Sequence, residues 1–313
     1  MKPEIVVTGS MYPATLQALD DTFTTHHLWK AEDPAALLAS VRDRVRAIAT
    51  PGGRGADAAL MDALPKLEII SCFAVGVDAV DLGAAKARGI AVTNTPDVLT
   101  DDVADIALAL TLAVERQICQ GDRFVRAGKW PTSGFPYGRK LGGRTMGIVG
   151  LGRIGLAVAQ RAAAFGMKIV YHGPREKAEG GAYRFYPDLV AMARDSDVLA
   201  VTCPGGAATR HLIGAAVLEA LGPEGVVVNV SRGSVIDEAA LVAALQAGKV
   251  GGAGLDVFQN EPRVPEVLFG MDNVVLLPHI GSQTHDTRAA MGQLVVDNLK
   301  AHFAGQPLLT RVV

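Results

Sequence analysis

A chain of 313 residues, 49% hydrophobic and 20% charged, holds about two domains' worth of sequence at roughly 150 residues each and can bury a sizeable core, which excludes a disordered tail. A net charge of −2 excludes the clustered lysines and arginines of a nucleic-acid or anionic-membrane surface. Cys72, Cys119 and Cys203 are scattered and form no C-x-x-C, which excludes a disulfide scaffold or a cysteine zinc cluster, and no apolar run approaches the ~18 residues of a membrane span. The expectation is a cytoplasmic globular protein with reduced thiols, no metal, no nucleic-acid partner and no membrane contact.

Short β-branched runs alternate with Ala/Leu-rich stretches nearly end to end. Strands are expected at Ile5–Thr8, Val45–Ala49, Glu68–Phe73 and Ile90–Asn94, and again at Thr145–Val149, Lys168–Tyr171, Val198–Thr202, Val226–Val230, Gly254–Phe258 and Val274–Leu277. Apolar strands with helical crossovers predict α/β architecture with parallel sheets covered on both faces. The pattern forms two βαβ blocks, about residues 1–97 and 143–283. Asp101–Gln120 reads as one long helix opening on Asp101 and Asp102, which suit its positive N-terminal dipole. The segment from Trp130 to Gly138, rich in Gly, Pro and aromatics, reads either as an arm that packs on another subunit or as a plain surface loop. A last helix, Thr287 to about Phe303, is expected to return to the first block, so that two doubly wound domains leave a cleft between them.

Gly150-Leu-Gly-Arg-Ile-Gly155 follows a strand directly and opens a helix. G-x-G-x-x-G alone also marks a structural turn; the strand–turn–helix context is what turns it into a dinucleotide fingerprint. Gly150 permits the tight turn, Gly152 lets the backbone approach a pyrophosphate, Gly155 permits close helix–strand packing, and the helix start at Arg153 and Ile154 offers N–H groups to phosphate. This makes the second block Rossmann-like. An NAD-preferring site puts an acid on the ribose about 20 residues later. Here the next strand ends Val170-Tyr-His-Gly-Pro-Arg175 with no acid. His172, Gly173, Pro174 and Arg175 are therefore expected around a 2′-phosphate, with Arg175 as the forked donor, and NADP(H) is expected in preference to NAD(H). A solvated loop arginine is the other reading of Arg175, and Glu176 weakens the local field.

Three polar residues sit at successive strand ends of this block: Arg232 in Asn229-Val-Ser-Arg-Gly233, Glu261 in Asp256-Val-Phe-Gln-Asn-Glu-Pro262, and His279 in Leu277-Pro-His-Ile-Gly281. Any one alone reads as an ordinary strand-end residue. Together they match hydride chemistry. When a carbonyl carbon takes a hydride, charge grows on its oxygen, and an imidazole is the natural proton donor. A carboxylate on the other ring nitrogen fixes the tautomer and favours the charged ring. An arginine holds a 2-oxo acid through a bidentate fork. His26 and His27 lie far upstream, His211 and His302 read as helical, and His285 as a helix start. Cys203, Pro204, Val230, Ser231, Asp256 and Gly281 complete the expected cofactor contacts, which Arg232 and His279 share.

These motifs together resemble the D-isomer-specific 2-hydroxyacid dehydrogenase family across essentially the whole chain. Thr93–Asp105, Val264–Gly270 and Pro307–Thr310 resemble its NADPH-dependent glyoxylate/hydroxypyruvate and hydroxyphenylpyruvate reductase branch. The resemblance implies two Rossmann-like domains, residues 1–97 with 285–313 for substrate and 98–284 for dinucleotide. It puts the catalytic roles on Arg232, Glu261 and His279, the last as general acid/base. It also implies that the turn Ala74-Val-Gly-Val-Asp78 holds the substrate carboxylate at Val75 and Gly76, beside Arg232 and His279; by its own sequence this is a strand-end turn. Ser282 and Arg288 either reach substrate or serve as a helix cap and a solvated helix face. The chain is too short for the regulatory domain of long phosphoglycerate dehydrogenases, His172 replaces the aspartate of the NAD-dependent D-lactate branch, and Glu–His replaces the Gln–His pair of formate dehydrogenases. Arg54 receives no role.

The expected activity is NADPH-dependent reduction of glyoxylate and hydroxypyruvate to D-2-hydroxy acids by a homodimer. The alternatives are an aryl-2-oxo acid reductase and, from another class, a non-catalytic dinucleotide-sensing protein. The latter is expected to carry extra interaction segments, and none follows before Val313.

Overall fold

The computed structural model describes residues 2–313. Two compact units emerge: the chain up to Leu99 together with Ser282–Val313, and Thr100–Gly281. In chain order the first begins β1 (Glu4–Val7), α1 (Pro13–Thr22), β2 (Thr24–His27), α2 (Pro34–Val41), β3 (Val45–Pro51), α3 (Ala58–Ala63), β4 (Ile69–Phe73), α4 (Leu82–Ala87) and β5 (Ala91–Thr93). The strands form one parallel sheet in the order β2-β1-β3-β4-β5. Ile5, Ile48, Ile69 and Ile70 are fully buried in it, which is why β1, β3 and β4 read as mainly apolar. Asp33, Asp57 and Asp81 each start a helix by accepting the N–H three residues on, from Ala36, Leu60 and Ala84.

The second unit runs α5 (Thr100–Glu115), α6 (Ile118–Arg126), β6 (Thr145–Val149), α7 (Arg153–Ala164), β7 (Lys168–His172), β8 (Arg184–Tyr186), α8 (Leu189–Arg194), β9 (Val198–Val201), α9 (Ala215–Leu221), β10 (Val226–Asn229), α10 (Glu238–Gln246), β11 (Gly252–Leu255) and β12 (Val274–Leu276). Its seven parallel strands lie in the order β12-β11-β10-β9-β6-β7-β8. The strand order reverses at β6 and β9, and the carboxyl ends of strands at such a switch point are where open α/β sheets bind ligands. Finally α11 (His285–Phe303) belongs to the first unit and packs on β4 and α1. No helix among the described residues is long and apolar enough to cross a membrane.

The sheet architecture is the doubly wound α/β type expected in both units, with local differences. Two strands, β2 and β8, were not expected. Both lie at sheet edges, where one side has no neighbour and the sequence need not be apolar throughout; β2 is Thr-Thr-His-His. The single helix expected over Asp101–Gln120 is two. Its Glu115 carbonyl accepts from the Arg139 N–H at 2.8 Å, so the returning chain takes the acceptor that the next helical turn needs, and Gln117 turns left-handed at φ 53°. His211 is likewise not helical: it sits in a turn at φ 52° and donates its N–H to the Ser234 carbonyl.

That helix break leaves Glu115 almost fully buried. Burial pushes its carboxyl above the ordinary range, against the opposing charge of Arg144, whose guanidinium donates to it at 2.5 Å and also faces Asp197 at 3.3 Å. Removing one partner of a buried pair strands the other. Arg144→Met is therefore expected to cost about 3–5 kcal/mol, read as a lower urea midpoint at pH 7. A midpoint equal to the parent's would show that the pair does not hold this corner.

Candidate active site

The Gly150–Gly155 turn joins β6 to α7, at the switch point of the second sheet. Gly150 has φ 96°, and a Cβ there would come within 2.6–2.7 Å of Cys203, so the segment after β9 presses directly on the turn. A Cβ on Gly155 would lie 2.3 Å from the Gly150 carbonyl oxygen. At Gly152, by contrast, a Cβ would meet nothing within 4 Å. The turn is thus closed on its protein side and open where a pyrophosphate would lie. No side chain caps α7, so its first-turn N–H groups face that opening with the helix dipole behind them. These features fit a dinucleotide diphosphate. Cys203 and Pro204 follow β9 beside the turn; the Cys203 thiol is buried and pushed up to about 11, which removes it from chemistry.

The end of β7 is less open than the residue types suggest. His172 is engaged sideways: its Nδ1 donates to the Tyr186 carbonyl of β8 at 2.9 Å, leaving Nε2 as its only uncommitted nitrogen. Arg175 lies on the following loop, exposed, and forms no ion pair with Glu176.

The polar trio is assembled by backbone tethers. After β10, Asn229 accepts from the N–H and hydroxyl of Ser231 at 3.0 and 3.1 Å and donates to the Arg232 carbonyl at 3.0 Å. It folds the turn that carries Arg232. After β11, the buried Asp256 accepts from the Ile280 and Gly281 N–H groups at 2.7 and 2.8 Å; burial raises its carboxyl above the ordinary range while these two N–H groups pull the other way. Asp256 thereby pins the loop after β12, with His279 beside it in the left-handed region at φ 55°.

Glu261 joins the two ends. One oxygen accepts from the Phe258 N–H at 3.0 Å, and the other meets His279 Nδ1 at 2.7 Å. Burial alone would raise this carboxyl, but the His279 hydrogen bond and charge, the Phe258 N–H and the charge of Arg232 hold it below the ordinary range. With Nδ1 bonded to a carboxylate, the ring's Nε2 is left to give or take a proton. Arg232, Glu261 and His279 therefore form one electrostatic cluster on the second unit. An apolar hollow of about 240 Å³, walled by Phe258, Val264, Phe269 and Leu276, opens against the Glu261–His279 pair.

Val75 and Gly76 lie on the first unit, in the turn after β4. Thr284, not Ser282, caps α11 by accepting the Thr287 N–H, and Arg288 is half-buried rather than solvated. Sequence reading missed Asn229 as the support of Arg232 and Asp256 as the support of His279; a polar residue closing a buried strand was the available signal. Among the described residues no group of three or more His, Cys, Asp or Glu is placed to hold a metal ion.

Residues 108–281 match the family model of the D-isomer specific 2-hydroxyacid dehydrogenase NAD-binding domain. The chain is 52% identical to a hydroxyphenylpyruvate reductase of Plectranthus scutellarioides, covering 95% of each chain. It is 50% identical to a glyoxylate/hydroxypyruvate reductase A of Arabidopsis thaliana, covering 94% of each. Among solved structures, an NADPH-dependent glyoxylate/hydroxypyruvate reductase of Sinorhizobium meliloti in complex with NADP and malonate superposes with a TM-score of 0.93 at 47% identity, over 100% of this chain and 97% of that one.

The chain belongs to the D-isomer specific 2-hydroxyacid dehydrogenase family. It is an oxidoreductase of that family, and its second unit is the nicotinamide-dinucleotide-binding domain.

Proposed function

We propose that this dehydrogenase reduces glyoxylate and hydroxypyruvate to D-2-hydroxy acids with NADPH. The observation that carries the reading is the 2.7 Å Glu261–His279 pair under the charge of Arg232, at the strand ends of a dinucleotide-binding sheet. A bound nicotinamide dinucleotide supplies the hydride. His279 gives a proton from Nε2 to the carbonyl oxygen, and Glu261 keeps Nδ1 protonated and stabilises the imidazolium before transfer. Arg232 holds the acid through its carboxylate and carbonyl and polarises the latter. The relative at 50% identity, named a glyoxylate/hydroxypyruvate reductase, supports the choice.

NADPH is preferred because β7 ends in His172 with no acid, and Arg175 is an exposed guanidinium with no carboxylate partner among the described residues. The likeness to the Sinorhizobium meliloti enzyme, whose structure holds NADP, points the same way. Aryl-2-oxo acids form the second reading: the apolar hollow beside His279 offers a surface for a ring, and one relative is a hydroxyphenylpyruvate reductase. The protein works as a homodimer in this account. Trp130 and Tyr137 are 69% and 100% exposed, with Ile118 and Val125 exposed on α6 nearby, and a two-fold partner is the commonest cover for such residues.

Four measurements test this. His279→Ala should lower kcat for glyoxylate by about 10²–10⁴, the usual yield of general acid catalysis, with NADPH affinity retained. In Glu261→Gln the ring loses the carboxylate that favours its charged form; reduction needs that form, so activity should fall off at lower pH than in the parent. A fully active His279→Ala protein would refute the general-acid role of His279, and binding of NADPH with no 2-oxo acid reduced would refute the reductase and leave a dinucleotide sensor. Arg175→Ala should shrink the NADPH-over-NADH preference in kcat/KM roughly ten- to a hundredfold; equal use of both cofactors by the parent would remove the NADPH assignment. Light scattering should return about twice the 32.6 kDa chain mass, and a monomer at micromolar concentration would reject the dimer.

A further inference from the structure

The connection from β7 to β8 runs from Gly173 to Tyr183 and carries Arg175. It is folded around one side chain. Tyr171 is fully buried on the face of β7 opposite His172, with its ring tilted against Phe185 of β8 at 5.3 Å between centres. Its hydroxyl leaves this apolar packing and closes on a single residue of the loop. It accepts from the Lys177 N–H at 3.0 Å and donates to the Lys177 carbonyl at 3.3 Å. Gly180 completes the wrap, since a Cβ there would lie 2.6–2.8 Å from the phenol. A ring that only filled the core could be phenylalanine. Here the one polar atom of the ring is committed to loop backbone, and the Lys177 N–H has no other acceptor among the described residues.

This clasp divides the connection in two. Beyond Lys177 lie a short helical turn, Ala178–Gly180, and the return to β8. Before it lie only Gly173, Pro174, Arg175 and Glu176, a bridge pinned at both ends. The first end is His172, whose carbonyl accepts from the Gly150 N–H of the dinucleotide turn at 2.9 Å and whose ring is held by the Tyr186 carbonyl. The second end is Lys177, held by Tyr171. Between them the fixed φ of Pro174 removes further freedom. An exposed arginine side chain is ordered only when it binds, so what the protein can preset is the backbone that carries it. The frame that holds the dinucleotide turn thereby also sets where Arg175 begins.

We propose that Tyr171 is a positioning residue for cofactor choice: by clasping Lys177, its hydroxyl presets the Gly173–Glu176 bridge so that Arg175 meets the 2′-phosphate of NADP(H). This rests on the NADPH reading given above. Part of the selectivity then resides in a buried phenol that touches no ligand. Removing the hydroxyl alone leaves the ring, the sheet and the arginine in place and frees the bridge. Arg175 must then be ordered together with its backbone at the moment of binding, and part of its contact is lost to that ordering.

The test compares the parent, Tyr171→Phe, Arg175→Ala and the double variant, with adenosine 2′,5′-bisphosphate and AMP titrated calorimetrically into each. The two probes differ by the 2′-phosphate alone and need no turnover. The parent should bind the bisphosphate more tightly than AMP. Tyr171→Phe should lose roughly five- to tenfold in affinity for the bisphosphate, a part of the ten- to hundredfold carried by the arginine contact itself, and nothing for AMP. In the Arg175→Ala background the same change should have no further effect, because the hydroxyl acts through the arginine. Hydrogen exchange read by mass spectrometry should be faster across residues 173–181 in Tyr171→Phe and unaltered in β6 and β9. A parent that binds both probes equally would remove the NADPH reading, and the proposal with it. With a parent that prefers the bisphosphate, the proposal alone is overturned if Tyr171→Phe keeps that preference, weakens AMP equally, loses as much again beside Arg175→Ala, or leaves exchange across the loop unchanged.

Discussion

The 2.7 Å hydrogen bond from the His279 ring to Glu261 decides which nitrogen can exchange a proton, and the loops of the second unit are built to hold it. A His–carboxylate pair is only as well aimed as the backbone beneath it. Here that backbone is fastened by carboxylate and amide side chains rather than by further secondary structure. Glu261 spends its other oxygen on the Phe258 N–H, Asp256 clamps the peptide units that follow His279, and Asn229 closes the turn below Arg232. Each replaces ladder hydrogen bonds that the chain gives up when it leaves the sheet. The cost of burying Asp256, and of partly desolvating Glu261, is met by N–H donors and opposite charge, and the second carries the charge pattern that proton transfer to a carbonyl requires.

The site was legible in the sequence where chemistry restricts the residue type. A dinucleotide turn needs glycine where backbone presses on backbone, and Gly150 and Gly155 meet Cys203 and the Gly150 carbonyl at distances no Cβ tolerates. Proton transfer and carboxylate recognition need histidine and arginine, and His279 and Arg232 stood out at strand ends for that reason. The central strands were legible because burial on both faces demands uninterrupted apolar residues, as in Val226, Val227 and Val228 of β10.

What stayed hidden depends on partners distant in sequence. The break after Glu115 is made by Arg139, and nothing between Asp101 and Gln120 announces it. The edge strands β2 and β8 are specified by their neighbours rather than by their own pattern. The ring of His172 looked available for a phosphate, yet the Tyr186 carbonyl on unforeseen β8 takes one of its nitrogens, which concentrates the cofactor question on Arg175. Arg288 was indistinguishable from a solvated helix residue until Phe73 was placed beneath it. Helical spacing reports which face is polar; it does not report that a polar residue lacks its counter-charge.

The most direct test of the account is a crystal structure of the protein with NADP+ and oxamate, an inert analogue of a 2-oxo acid. The account predicts His279 Nε2 about 3 Å from the oxamate carbonyl oxygen, with Nδ1 still bonded to Glu261 and the Arg232 fork on the same ligand. A carbonyl oxygen bonded to any other donor, or a His279 ring swung away from Glu261 in that complex, would contradict it.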